Sequence, residues 1–190
     1  VPFVNDWLLE SVVDGDASGR VLLVGATNGF FAATRPFLYD TVTQQLITPD
    51  PHGVASDAFN IDAFSLSDDG RFVAYDRNVD GSRSIVQVIG TEPEAHPRTL
   101  VDQAGTSALA TDWSPDGRAL LVFLARYASQ GDMAANTPTS LELALVEVAS
   151  GSTSVLARFE GWHERASLVQ ARFSPDGRHI AYLRQPSKGS

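Results

Sequence analysis

One short pattern recurs along this 190-residue chain, and its spacing constrains the fold more than any other feature of the sequence. It reads FSLSDDGRFVAY from Phe64, DWSPDGRALLVF from Asp112 and RFSPDGRHIAY from Arg172, and a fainter copy, ASGR followed by VLLVGA, begins at Ala17. In every copy a glycine and an arginine precede a run rich in β-branched, aromatic and other apolar residues. The pattern therefore predicts a tight turn that leads into a strand, repeated four times.

The segment Ser114-Pro115-Asp116-Gly117 shows why the turn is tight. Proline holds φ near the value required at the second position of a type I turn, and aspartate suits the third position. Glycine supplies the positive φ with which the chain re-enters a strand, so the turn closes a β-hairpin with a bulge. We expect the same geometry in the other copies.

The four turn glycines are separated by 51, 47 and 60 residues. Between them the sequence predicts one strand before each turn, one after it and then two more. The run after each turn is almost continuously apolar, which is typical of a strand that is covered on both faces. Four strands every 40–50 residues are characteristic of propeller blades, which stack face to face.

We therefore predict an all-β fold of four-stranded antiparallel blades, a single partial β-propeller over residues 1–190. Residues 5–48, 59–101 and 107–159 are predicted to form complete blades, and residues 167–185 an incomplete one. Only 13 residues follow Gly177, which is too few for the outer strands of a fourth blade. About three and a half blades are thus expected, where closed propellers have about four to eight.

The repeats FSPDGRHIAY and DWSPDGRALLVF resemble those of TolB-like, WD-related β-propellers, and the resemblance covers most of the chain. This repeat occurs in periplasmic TolB-type proteins, in the propeller domains of prolyl-oligopeptidase-like serine peptidases and in sensor or scaffold modules. The resemblance implies the propeller fold and favours a bacterial periplasm or cell envelope. It does not distinguish between these functions.

Composition excludes several classes of function. The chain has 14 Lys and Arg against 23 Asp and Glu, a net charge of −9, which disfavours nucleic acid and anionic membrane surfaces as partners. It contains no cysteine, so disulfides and thiolate metal sites are absent. No apolar run approaches the roughly 20 residues that a membrane-spanning helix requires, so no membrane insertion is expected.

Candidate binding residues lie in the long loops at the face opposite the tight turns, where a rigid scaffold usually carries its recognition residues. Aromatic and arginine side chains suit such an interface, although each aromatic ring has the alternative of packing beneath its own loop. The residues predicted on this basis are Phe30, Phe31, Tyr127, Trp162, His163 and Arg165.

Two loops partly match a calcium-binding loop, with oxygen-bearing side chains at alternate positions before a glycine. One contains Asp76, Asn78 and Asp80, and the other begins at Asp14. Neither has a carboxylate at the twelfth position, and Asp and Asn also favour ordinary turns. We therefore expect no cofactor, with calcium at Asp76, Asn78 and Asp80 as the alternative.

No catalytic residues are predicted, since the sequence has no G-x-S-x-G elbow, no H-E-x-x-H pair and no phosphate-binding loop. The favoured function is a non-catalytic scaffold that presents loops to a protein or peptide. The alternative is the substrate-gating propeller of a prolyl-oligopeptidase-like serine peptidase whose catalytic domain lies outside this chain.

The last hairpin, Leu168–Leu183, is expected to expose an open strand edge and an apolar face. Such an edge recruits a partner strand. We therefore expect either self-association of this chain or completion by the missing blades of a longer one.

Overall fold

The computed structural model describes residues 3–4, 7–27, 35–47, 64–79, 83–92, 95–129, 131–132, 138–160 and 170–183. Within these ranges the chain is all-β, with helical backbone only at 131–132. The strands form four antiparallel sheets in chain order. This architecture confirms the predicted fold class, a partial β-propeller.

Sheet 1 contains five strands, β1 (Phe3–Val4), β2 (Trp7–Gly15), β3 (Val21–Thr27), β4 (Arg35–Asp40) and β5 (Gln45–Ile47). Sheet 2 contains β6 (Phe64–Leu66), β7 (Phe72–Asn78), β8 (Ser84–Gly90) and β9 (Arg98–Val101). Sheet 3 contains β10 (Thr106–Trp113), β11 (Ala119–Arg126), β12 (Ser140–Glu147) and β13 (Thr153–Glu160). Sheet 4 is the hairpin of β14 (Ala171–Phe173) and β15 (Ile180–Tyr182).

Each sheet follows the order of its strands in the chain, as the repeat predicted. The first sheet differs in having a fifth strand, because β1 pairs with the start of β2 through Val4 and Trp7. In sheet 3 the two central strands, β11 and β12, pair without a break from Ala119 to Arg126.

The repeated turns have the predicted backbone. Gly117 has φ of 68°, and its N–H donates to the carbonyl of Ser114 at 2.8 Å. The Ser114 hydroxyl donates to Asp116 at 2.7 Å and accepts from the N–H of Ala119 at 2.9 Å. The same hydrogen bonds recur around Gly177, so side-chain and backbone groups together close each hairpin.

Most of the core that the structure describes lies between successive sheets, in three apolar interfaces that we call seams, and a smaller cluster around Val24 and Phe37 lies on sheet 1 alone. Seam A joins sheets 1 and 2, with Leu23 and Tyr75 among its fully buried side chains. Seam B joins sheets 2 and 3, and seam C joins sheets 3 and 4. Along β11, Leu120, Val122 and Leu124 face seam B while Leu121, Phe123 and Ala125 face seam C. The two seams explain why this strand reads as one continuous apolar run.

Candidate functional site: the loop-bearing strand ends

The strands of sheet 3 present two different ends. At one end, the tight turn Ser114–Gly117 joins β10 to β11. At the other end lie the start of β10, the ends of β11 and β13, and the start of β12, and the chain between β11 and β12 spans residues 127–139. We call this the loop end. It is where recognition residues were predicted.

Tyr127 is the one predicted binding residue within the described ranges, and it lies at the base of its loop. It follows directly after β11, and its N–H donates to the carbonyl of Gly105 at 2.9 Å. The half-buried ring packs against the apolar side chains of seam C, and this burial raises the pKa of its hydroxyl. Tyr127 therefore anchors the loop to the propeller. Phe30, Phe31, Trp162, His163 and Arg165 lie outside the described residues.

The predicted calcium loop is only partly described. Asn78 is the last residue of β7 and pairs with Ser84, whereas Asp80 falls outside the described ranges. Asp76 lies within β7, two residues from its end, opposite Val86. In the part of the chain that the structure describes, no three His, Asp or Glu side chains are placed to hold a metal ion. Calcium binding at this loop stays a prediction.

The other calcium-like segment, which begins at Asp14, has a different role in the fold. The Asp14 carboxylate accepts a hydrogen bond from the N–H of Leu66 in sheet 2 at 2.9 Å. Asp16, two residues on, accepts from the Ser18 hydroxyl at 2.5 Å and from the N–H of Val21 at 2.8 Å. These carboxylates therefore join sheet 1 to sheet 2 and close the first turn.

A corresponding tether crosses seam C. Asp112 precedes its turn glycine by five residues, as Asp14 precedes Gly19. Its carboxylate accepts from the N–H of Phe173 in sheet 4 at 2.7 Å and from Arg172 Nη1 at 2.8 Å. Leu66 and Phe173 are each the last residue of the first strand of their sheet, so the two tethers have the same geometry.

Seam B carries a different bond at this position. Sheet 2 has Ser65 where sheets 1 and 3 have aspartate. The Ser65 carbonyl accepts from Trp113 Nε1 of sheet 3 at 3.0 Å. The Trp113 ring also stacks on Phe72, with ring centroids 6.1 Å apart. All three seams are thus tied close to the tight turns.

A row of polar side chains that was not predicted from the sequence crosses the loop end of sheet 3. Glu142 on β12 is central to it, with only 2% of its side chain exposed. Arg126 on β11 donates to Glu142 Oε2 from Nε at 3.1 Å and from Nη2 at 2.9 Å. Arg158 on β13 donates to Glu142 Oε1. The third nitrogen of Arg126, Nη1, bonds both Gln103 and Thr106 at 2.8 Å.

The row therefore contains two guanidinium groups around one buried carboxylate, which leaves one positive charge in excess. Arg126 is held by hydrogen bonds on all three nitrogens, whereas the side chain of Arg158 is 59% exposed. A partly exposed guanidinium group that is anchored by a fixed carboxylate can also bind the carboxylate or the peptide carbonyl of a partner. One feature of the sequence indicates a special role for Glu142, because it is a charged residue inside the apolar strand LELALV.

No protein-family model matches this chain, and no curated protein matches it. Solved structures do match it. TolB from Acinetobacter baumannii is 15% identical, with a TM-score of 0.61 over 96% of this chain and 39% of that chain. Oligogalacturonate lyase from Vibrio parahaemolyticus is 14% identical, with a TM-score of 0.63 over 98% of this chain and 50% of that chain.

A prolyl endopeptidase is also similar, at 16% identity and a TM-score of 0.63 over 96% of this chain and 25% of that chain. This chain therefore spans half or less of the length of each of these proteins. The comparisons show that the fold is that of a TolB-like β-propeller, as the repeat predicted. Among the described residues no helix is long and apolar enough to cross a membrane.

Proposed function

We propose that this chain is a non-catalytic binding module, a TolB-like propeller whose loop end presents recognition residues to a protein or peptide. The observation that carries the proposal is the exposed guanidinium group of Arg158, which is bonded to the buried carboxylate of Glu142. Glu142 and Arg126 fix the strand ends on which the loops stand. A rigid base reduces the entropy that loops lose on binding a partner.

A displayed library of random peptides, selected against the immobilised full chain, tests this proposal. Selected peptides should bind the wild-type protein, and their affinity for the Arg158→Ala variant should be lower by about tenfold or more, as expected for the loss of a charge-assisted hydrogen bond. Arg118→Ala is the matched control, because Arg118 is an exposed arginine beside a tight turn at the opposite end. Equal loss in both variants, or selection of no peptide, would contradict the proposal.

The second candidate is the substrate-gating propeller of a serine peptidase. The similarity to a prolyl endopeptidase, of which this chain covers a quarter, favours it. The coding sequence of the full-length protein separates the two proposals, because the peptidase reading requires a G-x-S-x-G segment in a further domain. A fluorophosphonate probe should then label the full-length protein at that serine. A full-length protein that the probe leaves unlabelled would favour the binding module.

Two further parts of the proposal concern context. From the TolB-like repeat we propose a location in the bacterial periplasm or envelope, which cell fractionation of the native organism tests.

We also propose that sheet 4 is completed by another copy of this chain or by further blades of a longer one, because Tyr182 and Leu183 are 46% and 63% exposed. With a net charge of −9, we expect no association with nucleic acid.

A further inference from the structure

Strand β13 forms the outer edge of sheet 3, in which the strands are ordered β10, β11, β12 and β13. It is eight residues long, whereas the outer strands of sheets 1 and 2, β5 and β9, have three and four residues. Within the ranges that the structure describes, no further strand pairs with β13. An edge strand presents main-chain N–H and C=O groups that an additional strand can bond. Sheet 3 therefore has a long outer edge at which pairing can continue.

The side chains of β13 are exposed, whereas those at the end of β9 are covered. In sheet 2, Leu100 and Val101 are buried, and the Leu100 carbonyl lies 3.7 Å from the Cβ that a side chain at Gly151 of sheet 3 would have. The outer turn of sheet 3 thus lies against β9. In sheet 3, Val155 and Leu156 are 48% and 47% exposed. Among the described residues, sheet 4 has no outer strands that would cover β13 in the same way.

The pairing of β13 with β12 shows which main-chain groups point outward. The N–H of Glu147 donates to the carbonyl of Ser152 at 2.9 Å. In an antiparallel pair, successive residues alternate between bonding the partner strand and facing away from it, and the register is continuous from Thr153 to Val155. The N–H and C=O groups of Thr153 and Val155 therefore point away from β12. No other described residue bonds these groups.

The polar row of sheet 3 ends at this edge with a positive charge. It alternates from Arg126 on β11 to Glu142 on β12 and Arg158 on β13, and Arg158 lies directly opposite Glu142 in the strand register. Among the described residues only Nη2 of Arg158 has an acceptor, which leaves Nε and Nη1 to donate elsewhere. Side chains directly opposite on neighbouring strands have Cβ atoms about 5 Å apart. The next position across the sheet is thus complementary to a carboxylate.

We propose that β13 is the docking edge for an extended peptide, which joins sheet 3 as an antiparallel strand and places one carboxylate against Arg158. This inference rests on the proposed function and specifies how the loop end holds its partner. Main-chain hydrogen bonds supply affinity in this mode, and alternate side chains supply specificity.

The antiparallel direction also specifies the rest of the peptide. Residues that follow the carboxylate lie beside Leu156 and Val155, so apolar residues are favoured there. Because the chain has a net charge of −9, a run of acidic residues is disfavoured. The partner segment therefore combines one acidic residue with an apolar segment on its C-terminal side.

Three synthetic peptides, titrated into the ¹⁵N-labelled full chain, test the proposal by NMR. The first has eight threonine and valine residues with one glutamate near the N-terminus, and a lysine at each end for solubility. The second has glutamine in place of glutamate, and the third has N-methyl groups on its four central residues, which remove N–H donors.

The glutamate peptide should slow amide exchange of Val155 at least tenfold at saturation. It should also bind at least tenfold more tightly than the glutamine peptide, as expected for a charge-assisted hydrogen bond. The N-methylated peptide should not bind.

Two variants separate the contribution of the charge from that of the main-chain edge. Arg158→Ala should bind the glutamate and glutamine peptides equally. Val155→Pro removes an outward N–H but leaves the pairing with β12 intact, and it should weaken both peptides about tenfold or more. Arg118→Ala, at the opposite end of sheet 3, is the matched control and should change neither affinity.

Three results would overturn the proposal. The first is no binding of the glutamate peptide at millimolar concentration. The second is equal binding of the N-methylated peptide, because side chains alone would then hold the partner and the binding module would stand without strand addition. The third is protection of the Val155 amide in a peptide-free dimer, which would assign the edge to a second copy of this chain. The library selection tests the proposed function independently, since it requires no particular peptide conformation.

Discussion

Replacement of Asp112 by alanine should loosen the last hairpin from the propeller. The Asp112 carboxylate holds the N–H of Phe173 at 2.7 Å and Arg172 Nη1 at 2.8 Å, both across seam C. Alanine removes both acceptors. The N–H of Phe173 is then left in a partly buried position without its partner.

The two lost interactions contribute differently to the free energy of unfolding. A hydrogen bond between a main-chain donor and a charged acceptor contributes about 1.5–3 kcal/mol. The ion pair contributes about 0–1 kcal/mol, because the Arg172 side chain is 64% exposed and screened by solvent. Asp112→Ala should therefore cost about 1.5–4 kcal/mol, and Arg172→Ala less than about 1 kcal/mol.

Urea denaturation measures the decrease in the free energy of unfolding. Amide exchange at Phe173 shows whether the hairpin of β14 and β15 opens locally. Asp112→Asn is a useful intermediate, since it keeps one acceptor oxygen without the charge. We expect the order of stability to be wild type, Arg172→Ala, Asp112→Asn and Asp112→Ala. If Asp112→Ala and Arg172→Ala lost the same stability, the bond to the main chain would not be the principal contribution.

Three further predictions concern the repeat and its open end. Gly117→Val should cost about 1–3 kcal/mol by thermal unfolding, because valine resists a φ of 68°, whereas Gly117→Asn should cost less. The nearest atom to an added Cβ is Asp69 Oδ2 at 3.6 Å, so a steric clash is not the cause, and an unchanged melting temperature for valine would refute the turn geometry. Trp113→Phe should cost about 1–3 kcal/mol in urea, because it leaves a buried carbonyl in sheet 2 without its donor, and a neutral result would mean that water replaces the indole. The isolated chain should form dimers at micromolar concentration in light scattering, more weakly when truncated after Gln170, and a cooperative monomer would contradict this.

The repeated turns and the strands beside them were predictable because their causes are local. A glycine with positive φ, a serine and an aspartate close each hairpin through bonds within five residues of one another. The apolar run after each turn predicted a strand covered on both faces, and β11 has side chains in two seams. The spacing of the turns then predicted the succession of sheets.

For the candidate site the sequence indicated only a location, and binding at that location stays a prediction. Aromatic residues in long loops indicated the loop end, and Tyr127 is found there, although it packs into seam C at the base of its loop. The arginines beside Glu142 come from strands 16 residues away on either side in the chain, so no local pattern relates them. Their meeting depends on the registers of β11, β12 and β13.

The sequence by itself therefore determined the turns, the strands and the propeller class, because φ preferences and the alternation of side chains act over a few residues. Tertiary structure alone decided the role of each acidic side chain. Asp14 was interpreted as part of a calcium-like loop and Asp112 only as part of the repeat, yet each bonds the main chain of the next sheet. Asp76 was interpreted as a loop ligand, yet it lies within β7 opposite the buried Val86. Sheet-to-sheet packing sets these environments, and it joins residues that the chain separates by as many as 61 positions.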